Sequence, residues 1–358
     1  MRLPSLILFA FLVKLPLAGS VLTVNSLGDT GSGIGNSGDL RYVIGQANSG
    51  DSIVFSVSGT ISLNSQLNIG ASVTITGLSI TIDGSTSGTI FNVTGSASPT
   101  FSNLTLMDAS TAAITGSGSA NVSVANSTIF GNNDGILNVN ATVINSSLAG
   151  NSGAAISGGT LVLSNSTIAN GNVGLLNANA TVTNSTFGGN AIGISGGTVT
   201  LYDSTISGGT TGTQNTNLTS GNSIIAGDTT DLGSGTVGTS LGHNLIGSIG
   251  SGSGFTNGVD GDQVGANANP INPFLGPLAN NGGPTLTYAI LAGSPAIEAG
   301  DISIIPSGVT TDQRGAGFPR TFNGTVDIGS YELITPEPTT YVACLLGLAI
   351  GALRLRKR

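Results

Sequence analysis

Asn126-Ser127-Thr128-Ile129, Asn145-Ser146-Ser147-Leu148, Asn165-Ser166-Thr167-Ile168, Asn184-Ser185-Thr186-Phe187, Asp203-Ser204-Thr205-Ile206 and Asn222-Ser223-Ile224-Ile225 repeat one phrase at spacings of 19 or 20 residues. Two residues before each anchor stands Val124, Val143, Leu163, Val182 or Leu201, and three after it Ile129, Leu148, Ile168, Phe187, Ile206 or Ile225. A weaker third column follows as Ile136, Ala155, Leu175, Ile194 and Thr213, each behind a Gly or Ala. Each repeat therefore offers three short strands separated by turns. So few residues cannot close a core alone, but stacked coils bury their inward residues continuously. Val, Ile and Thr with Gly, Asn and Ser turns favour a parallel β-helix, and no apolar period of 3.6 supports stacked helices.

The recurring Asn126, Asn145, Asn165, Asn184, Asp203 and Asn222 read as a structural ladder, because Asn tolerates turn backbone and stacked amides can hydrogen-bond between copies. The phrase also matches an N-glycosylation acceptor, but recurrence at one coil position accounts for it better. Looser apolar alternation extends the pattern upstream to Asp51. Before it, Leu40, Val43, Ile44 and Ala47 lie at helical spacing behind Ser37 or Asp39, which predicts a short helix covering the first coil.

Arg2, an apolar stretch from Leu3 to Leu17 and Ala18-Gly19-Ser20 read as a signal peptide over residues 1–20. The single cysteine, Cys344, excludes a disulfide framework. No Lys or Arg occurs from residue 42 to 313. Residues 21–334 carry three basic against sixteen acidic residues, hence −13, which argues against nucleic acid and anionic lipid surfaces as partners. At the other end Pro336-Glu337-Pro338-Thr339 precedes an apolar stretch, Tyr341 to Leu353, and a basic end with Arg354, Arg356, Lys357 and Arg358. The stretch is short for a bilayer span, and the basic end would stay cytoplasmic. Residues 335–358 resemble the bacterial PEP-CTERM sorting signal, with Thr335 and Thr339 where Val and Ser are usual. That resemblance implies a C-terminal transmembrane helix, transient or retained, and an exosortase-type sorting enzyme as a partner beside signal peptidase.

From about Gly227 the repeat degrades, and a different module begins near residue 251. Asn272-Pro273-Phe274-Leu275-Gly276-Pro277, Asn280-Asn281-Gly282-Gly283-Pro284, Gly293-Ser294-Pro295-Ala296, Thr311-Asp312-Gln313-Arg314-Gly315 and Val326-Asp327-Ile328-Gly329-Ser330-Tyr331-Glu332 resemble the choice-of-anchor Q domain. The resemblance, which extends to Val21–Phe55, implies a right-handed single-stranded parallel β-helix on an exported surface protein, with no general activity attached. The chain then divides into a signal peptide (1–20), an N-terminal cap (21–50), a β-helix (51–250), a C-terminal module (251–334) and an anchor (335–358).

Asp312, Arg314, Arg320, Asp327 and Glu332 concentrate opposite charges in a chain otherwise nearly free of them, and read as structural ion pairs. A lyase acting on acidic sugars needs cationic groups, which the coils lack. A glycosidase needs two carboxylates at a set separation. Asp83, Asp108, Asp134 and Asp203 are scattered over different coil phases, leaving Asp228 with Asp231 and Asp260 with Asp262. The lone His243 reads as a hydrogen-bonded turn residue, and with no thiol outside the anchor an ordinary zinc site is not expected. No cofactor is expected; calcium at Asp260 and Asp262 is the one metal candidate, weaker than a solvated acidic loop. The reading is a non-catalytic, exported β-helix with a structural or adhesive role at the envelope or in extracellular polysaccharide, and a polysaccharide hydrolase is the alternative.

Overall fold

A computed structural model describes residues 19–85, 87–117 and 119–334. The sorting residues Pro336, Glu337, Pro338 and Thr339, the basic end and nearly all of the expected signal segment lie outside the described residues, as does the expected transmembrane helix. Among the described residues no helix is long and apolar enough to cross a membrane.

The chain winds into a parallel β-solenoid of three faces. The first face stacks eleven strands from Val21–Val24 to Val237–Gly242. The second runs from Gly59–Ser62 to Gln263–Val264, and the third from Leu67–Ile69 to Thr230–Leu232. In the coil starting at Asn121 the three strands are Asn121–Ala125, Thr128–Phe130 and Asp134–Leu137. Each pairs in parallel with its copies one coil away, so Val124 meets Val143, Ile129 meets Leu148 and Ile136 meets Ile156. The third column is thus corrected at one point: Ile156, not Ala155, occupies it, because the extra residue of that longer coil lies before it. These inward columns form one continuous core from Leu22 to Phe255.

Three corners per coil explain the repeat's polar letters. Asn126, Asn145, Asn165, Asn184, Asp203 and Asn222 all adopt left-handed backbone, with φ of 46° to 51°. The second corner uses Gly131, Gly150, Asn170, Gly189, Gly208 and Gly227, and the third Asn138, Gly158, Asn177, Gly196, Asn215 and Gly235, all at positive φ. Asn and Gly interchange there because both enter this region at low steric cost.

The buried hydrogen-bond ladder runs through the serine that follows each anchor. The N–H of Ser127 donates to Ser146 Oγ at 3.2 Å, Ser146 to Ser166 at 3.1 Å, Ser166 to Ser185 at 3.3 Å, Ser185 to Ser204 at 3.3 Å and Ser204 to Ser223 at 3.2 Å. Each hydroxyl donates in turn to the carbonyl two residues back, as Ser166 does to Ser164 at 2.7 Å. Every buried polar group on this line is satisfied within the wall, which is what burial of a hydroxyl requires. Among the anchors themselves one amide contact joins neighbouring copies, from Asn222 Nδ2 to Asp203 Oδ1 at 3.2 Å. The anchors act mainly through backbone conformation, and the expected amide ladder is replaced by a hydroxyl ladder one residue on.

At the N-terminal end, Val21–Val24 pairs in parallel with Ser52–Phe55, so the first coil starts inside the segment expected to be only a cap. A helix, Leu40–Gln46, begins at Asp39, whose carboxylate accepts from Tyr42 N–H, and buries Leu40 and Val43 in the same core. Beyond Val264 the chain forms an antiparallel pair, Leu275–Ala279 with Thr287–Ile290, and folds back along the second face.

Candidate functional site

The returning segment decides which surfaces remain free. The second face carries an outward column in register: Thr105, Thr128, Ser147, Thr167, Thr186, Thr205, then Ile224 and Leu245. From Thr167 onward this column is covered. Gln313, fully buried, accepts from Thr186 Oγ1 at 2.6 Å and donates to Thr167 Oγ1 and Thr285 Oγ1, each at 3.0 Å. Ser330 N–H donates to Thr205 Oγ1 at 3.0 Å, and Tyr288 OH to the carbonyl of Ser207 at 3.1 Å. Ile224 and Leu245 pack with Ile290, Ala296 and Ile328 in a second small core.

The five expected ion-pair residues come together beneath this cover, all nearly inaccessible. Arg314 pairs with Asp312 at 2.5 Å between the rings of Phe318 and Tyr331, at 3.9 and 3.7 Å from its guanidinium carbon. Arg320 pairs with Glu332 at 2.9 Å and donates to the carbonyls of Gly329 and Asp327. Burial pushes the Glu332 carboxyl up to about 7 even against the opposing pull of Arg320. Asp203, also buried, is raised by desolvation, which Arg320 partly offsets. Asp327 accepts from the N–H groups of Glu298 and Leu333. The cluster fixes loops to one another and offers no open cleft.

The first face is open. Its central outward column runs Thr74, Thr100, Ser123, Thr142, Val162, Thr181, Thr200, Thr219, Thr239 in unbroken register. Beside it stand Asn121, Asn140, Thr160, Asn179, Thr198 and Asn217. Asn140 Nδ2 donates to Asn121 Oδ1 at 3.3 Å, and Thr160 Oγ1 to Asn140 Oδ1 at 2.8 Å, so these polar ends are held in place. The strands from Asn121 to Gly221 on this face contain no Asp, Glu, Lys, Arg or His. Those from Asn121 to Thr200 line a shallow trough of about 670 Å³.

Of the two acidic pairs, one converges. Asp228 N–H donates to Asp231 Oδ1 at 3.0 Å beside a cleft of about 420 Å³ shared with Ser248 and Asn267. Burial raises Asp228 to about 7, with the charge of Asp231 adding to it, and raises Asp231 to about 6. Asp228 also ends a second ladder: Asn132 N–H donates to Asn151 Oδ1, Gly171 N–H to Asn190 Oδ1 and Gly209 N–H to Asp228 Oδ1. Asp260 and Asp262 do not converge. Asp262 is buried and accepts from Asn244 at 2.9 Å, continuing the serine ladder, whereas Asp260 is an exposed left-handed corner. The calcium candidate loses its geometry with that separation, and among the described residues no group of three or more His, Cys, Asp or Glu is placed to hold a metal. His243 is a left-handed corner whose Nδ1 donates to the Ala299 carbonyl at 2.7 Å. The repeat marked the inward columns and not which outward face stays open; Asp228 with Asp231 was a candidate pair in the sequence, but its place at a ladder's end was not legible there.

No family model and no curated protein matches the chain. Among solved structures it is similar to one described as pectate lyase Pel9A, at 14% identity with a TM-score of 0.52, over 88% of this chain and 98% of that one. The likeness is one of fold.

Proposed function

We propose that this is an exported β-solenoid that binds uncharged polysaccharide and serves a structural or adhesive role at the bacterial surface or in extracellular polymer, without catalysis. The observation that carries the reading is the first face, where oriented hydroxyls and amides repeat along the solenoid with no ionisable group among them. Many weak hydrogen bonds over a long rigid surface suit a polymer of sugar hydroxyls. Export and sorting rest on the resemblance of residues 335–358 to a PEP-CTERM signal and of 272–332 to the choice-of-anchor Q domain.

Pectate lyase chemistry is poorly matched, since an acidic sugar needs cationic groups and none occurs from residue 42 to 313. A second reading, a hydrolase, is favoured by one observation: Asp228 and Asp231 converge beside a cleft with their carboxyls held at about 7 and about 6. Incubating the full chain with immobilised neutral and acidic polysaccharides, with and without calcium, separates the two. Retention with no new reducing ends is the expected result. Release of reducing ends that disappears in Asp228→Asn and Asp231→Asn would replace the binding role with hydrolysis.

A further inference from the structure

We infer that the first face selects glycan chains already packed side by side in an ordered fibre, of the neutral, β-linked, extended kind, over the same chains in solution. The inference rests on the binding role proposed above and adds the physical state of the ligand.

The face is flat and periodic in two directions. Along the solenoid the column repeats at the strand spacing of about 4.8 Å, with Thr181 and Thr200 on adjacent coils and Val162 standing between Thr142 and Thr181, and across it each hydroxyl lies two residues, about 6.6 Å, from its Asn or Thr neighbour. The grid is rigid because every strand is bonded to copies above and below. Inward neighbours Val143, Val182 and Leu201 are fully buried, so the outward groups cannot be withdrawn into the wall.

Such a face offers only a shallow trough and, along its middle coils, one aromatic edge residue, Tyr202, to hold a lone sugar. A dissolved chain lying on it would contact one side only and would lose its own conformational freedom for a row of weak hydrogen bonds. A chain already fixed in a fibre has lost that freedom beforehand, and its neighbours in the fibre engage the second column at the same time. The lack of any cation on this face of a strongly anionic protein excludes an acidic polymer, and the lack of any carboxylate there gives a cationic one nothing to pair with. An extended β-linked ribbon fits a straight face, and a coiled α-linked chain does not.

The test uses the full chain and two polymers, cellulose and chitin, each supplied microcrystalline, amorphous and as soluble oligosaccharides. Depletion from solution should favour a crystalline form over its amorphous form by about tenfold, with no measurable binding to the oligosaccharides. The triple variant Thr142→Val, Thr181→Val, Thr200→Val keeps the β-branched shape and should lose about tenfold or more of that binding. The single Thr181→Val guards against misfolding of the triple, and Thr105→Val with Thr128→Val on the second face should bind as the parent does. Equal binding to crystalline, amorphous and soluble forms would overturn the fibre inference and leave the glycan-binding role standing. No binding to any form of either polymer would overturn the fibre inference, the glycan-binding role being decided by the immobilised polysaccharides above, and binding untouched by the triple variant would remove the first face from the account.

Discussion

Thr181 and Thr186 belong to one coil, five residues apart, and meet opposite fates. Thr181 points outward from the first face into solvent, whereas Thr186 points outward from the second and is fully buried under Gln313 and Ser330. The same contrast runs along both columns from Thr167 onward. An outward threonine on a solenoid is therefore half of an interface, and a second segment of chain decides whether it is structural or available.

The contrast breaks most severely at Arg320. Arg320→Ala leaves the Glu332 carboxyl and the nearby Asp203 buried without their cation, a loss of about 3–5 kcal/mol. Limited proteolysis should then cut within residues 272–334 while the far-ultraviolet β signal of the solenoid persists. Unchanged protease resistance would mean that the ion pair does not hold the cover in place. Next in size is Thr186→Val, which removes the hydrogen bond from Thr186 Oγ1 to Gln313 Oε1 and should lower stability by about 1–3 kcal/mol in denaturant melts.

A smaller effect depends on pH. Asp228 and Asp231 hold their protons in the folded protein up to about 7 and about 6, well above the 3.8 of the free carboxyl. Between those values the folded state binds more protons than the unfolded state, so stability falls as pH rises from about 4 to about 7. Asp228→Asn restores the residue type that the same ladder uses at Asn132, Asn151 and Asn190, where an amide oxygen can still accept from Gly209 N–H. It should stabilise by about 1 kcal/mol at pH 8 and have little effect at pH 4, read as the difference in melting temperature. Equal stabilisation at both values would remove the titration from the explanation. The smallest effect is Thr181→Val, expected within about 0.5 kcal/mol of the parent because no partner is lost. A cost as large as that of Thr186→Val would show that the open face is structural too.

Much of the solenoid was legible because its signals are local and repeated. Val124, Ile129 and their copies mark inward positions by recurrence, and the helix at Leu40–Gln46 follows from spacing behind Asp39. The serine ladder was harder to read, because Ser127, Ser146 and Ser166 recur at the same frequency as the adjacent anchors, and only the folded backbone shows that the anchors turn the corner while the serines bond between coils. Ile156 was misassigned to Ala155 because a one-residue insertion leaves two apolar neighbours as equal claimants. The cover over the second face left one trace in the repeat. At Ile224 and Leu245 the outward threonine becomes apolar, a change that has meaning only if something packs there.

By itself the sequence determined the coil: its length, its three-strand period, its inward columns and its left-handed Asn and Gly corners, all set by backbone sterics and apolar burial within one or two repeats. Tertiary structure alone decided which outward face is closed, since Gln313 meets Thr186 across 127 residues of chain. It likewise placed Asp228 and Asp262 at the ends of hydrogen-bond ladders. Both outcomes depend on whether a polar group finds its partner in the protein or in water, and that is fixed only when distant segments pack.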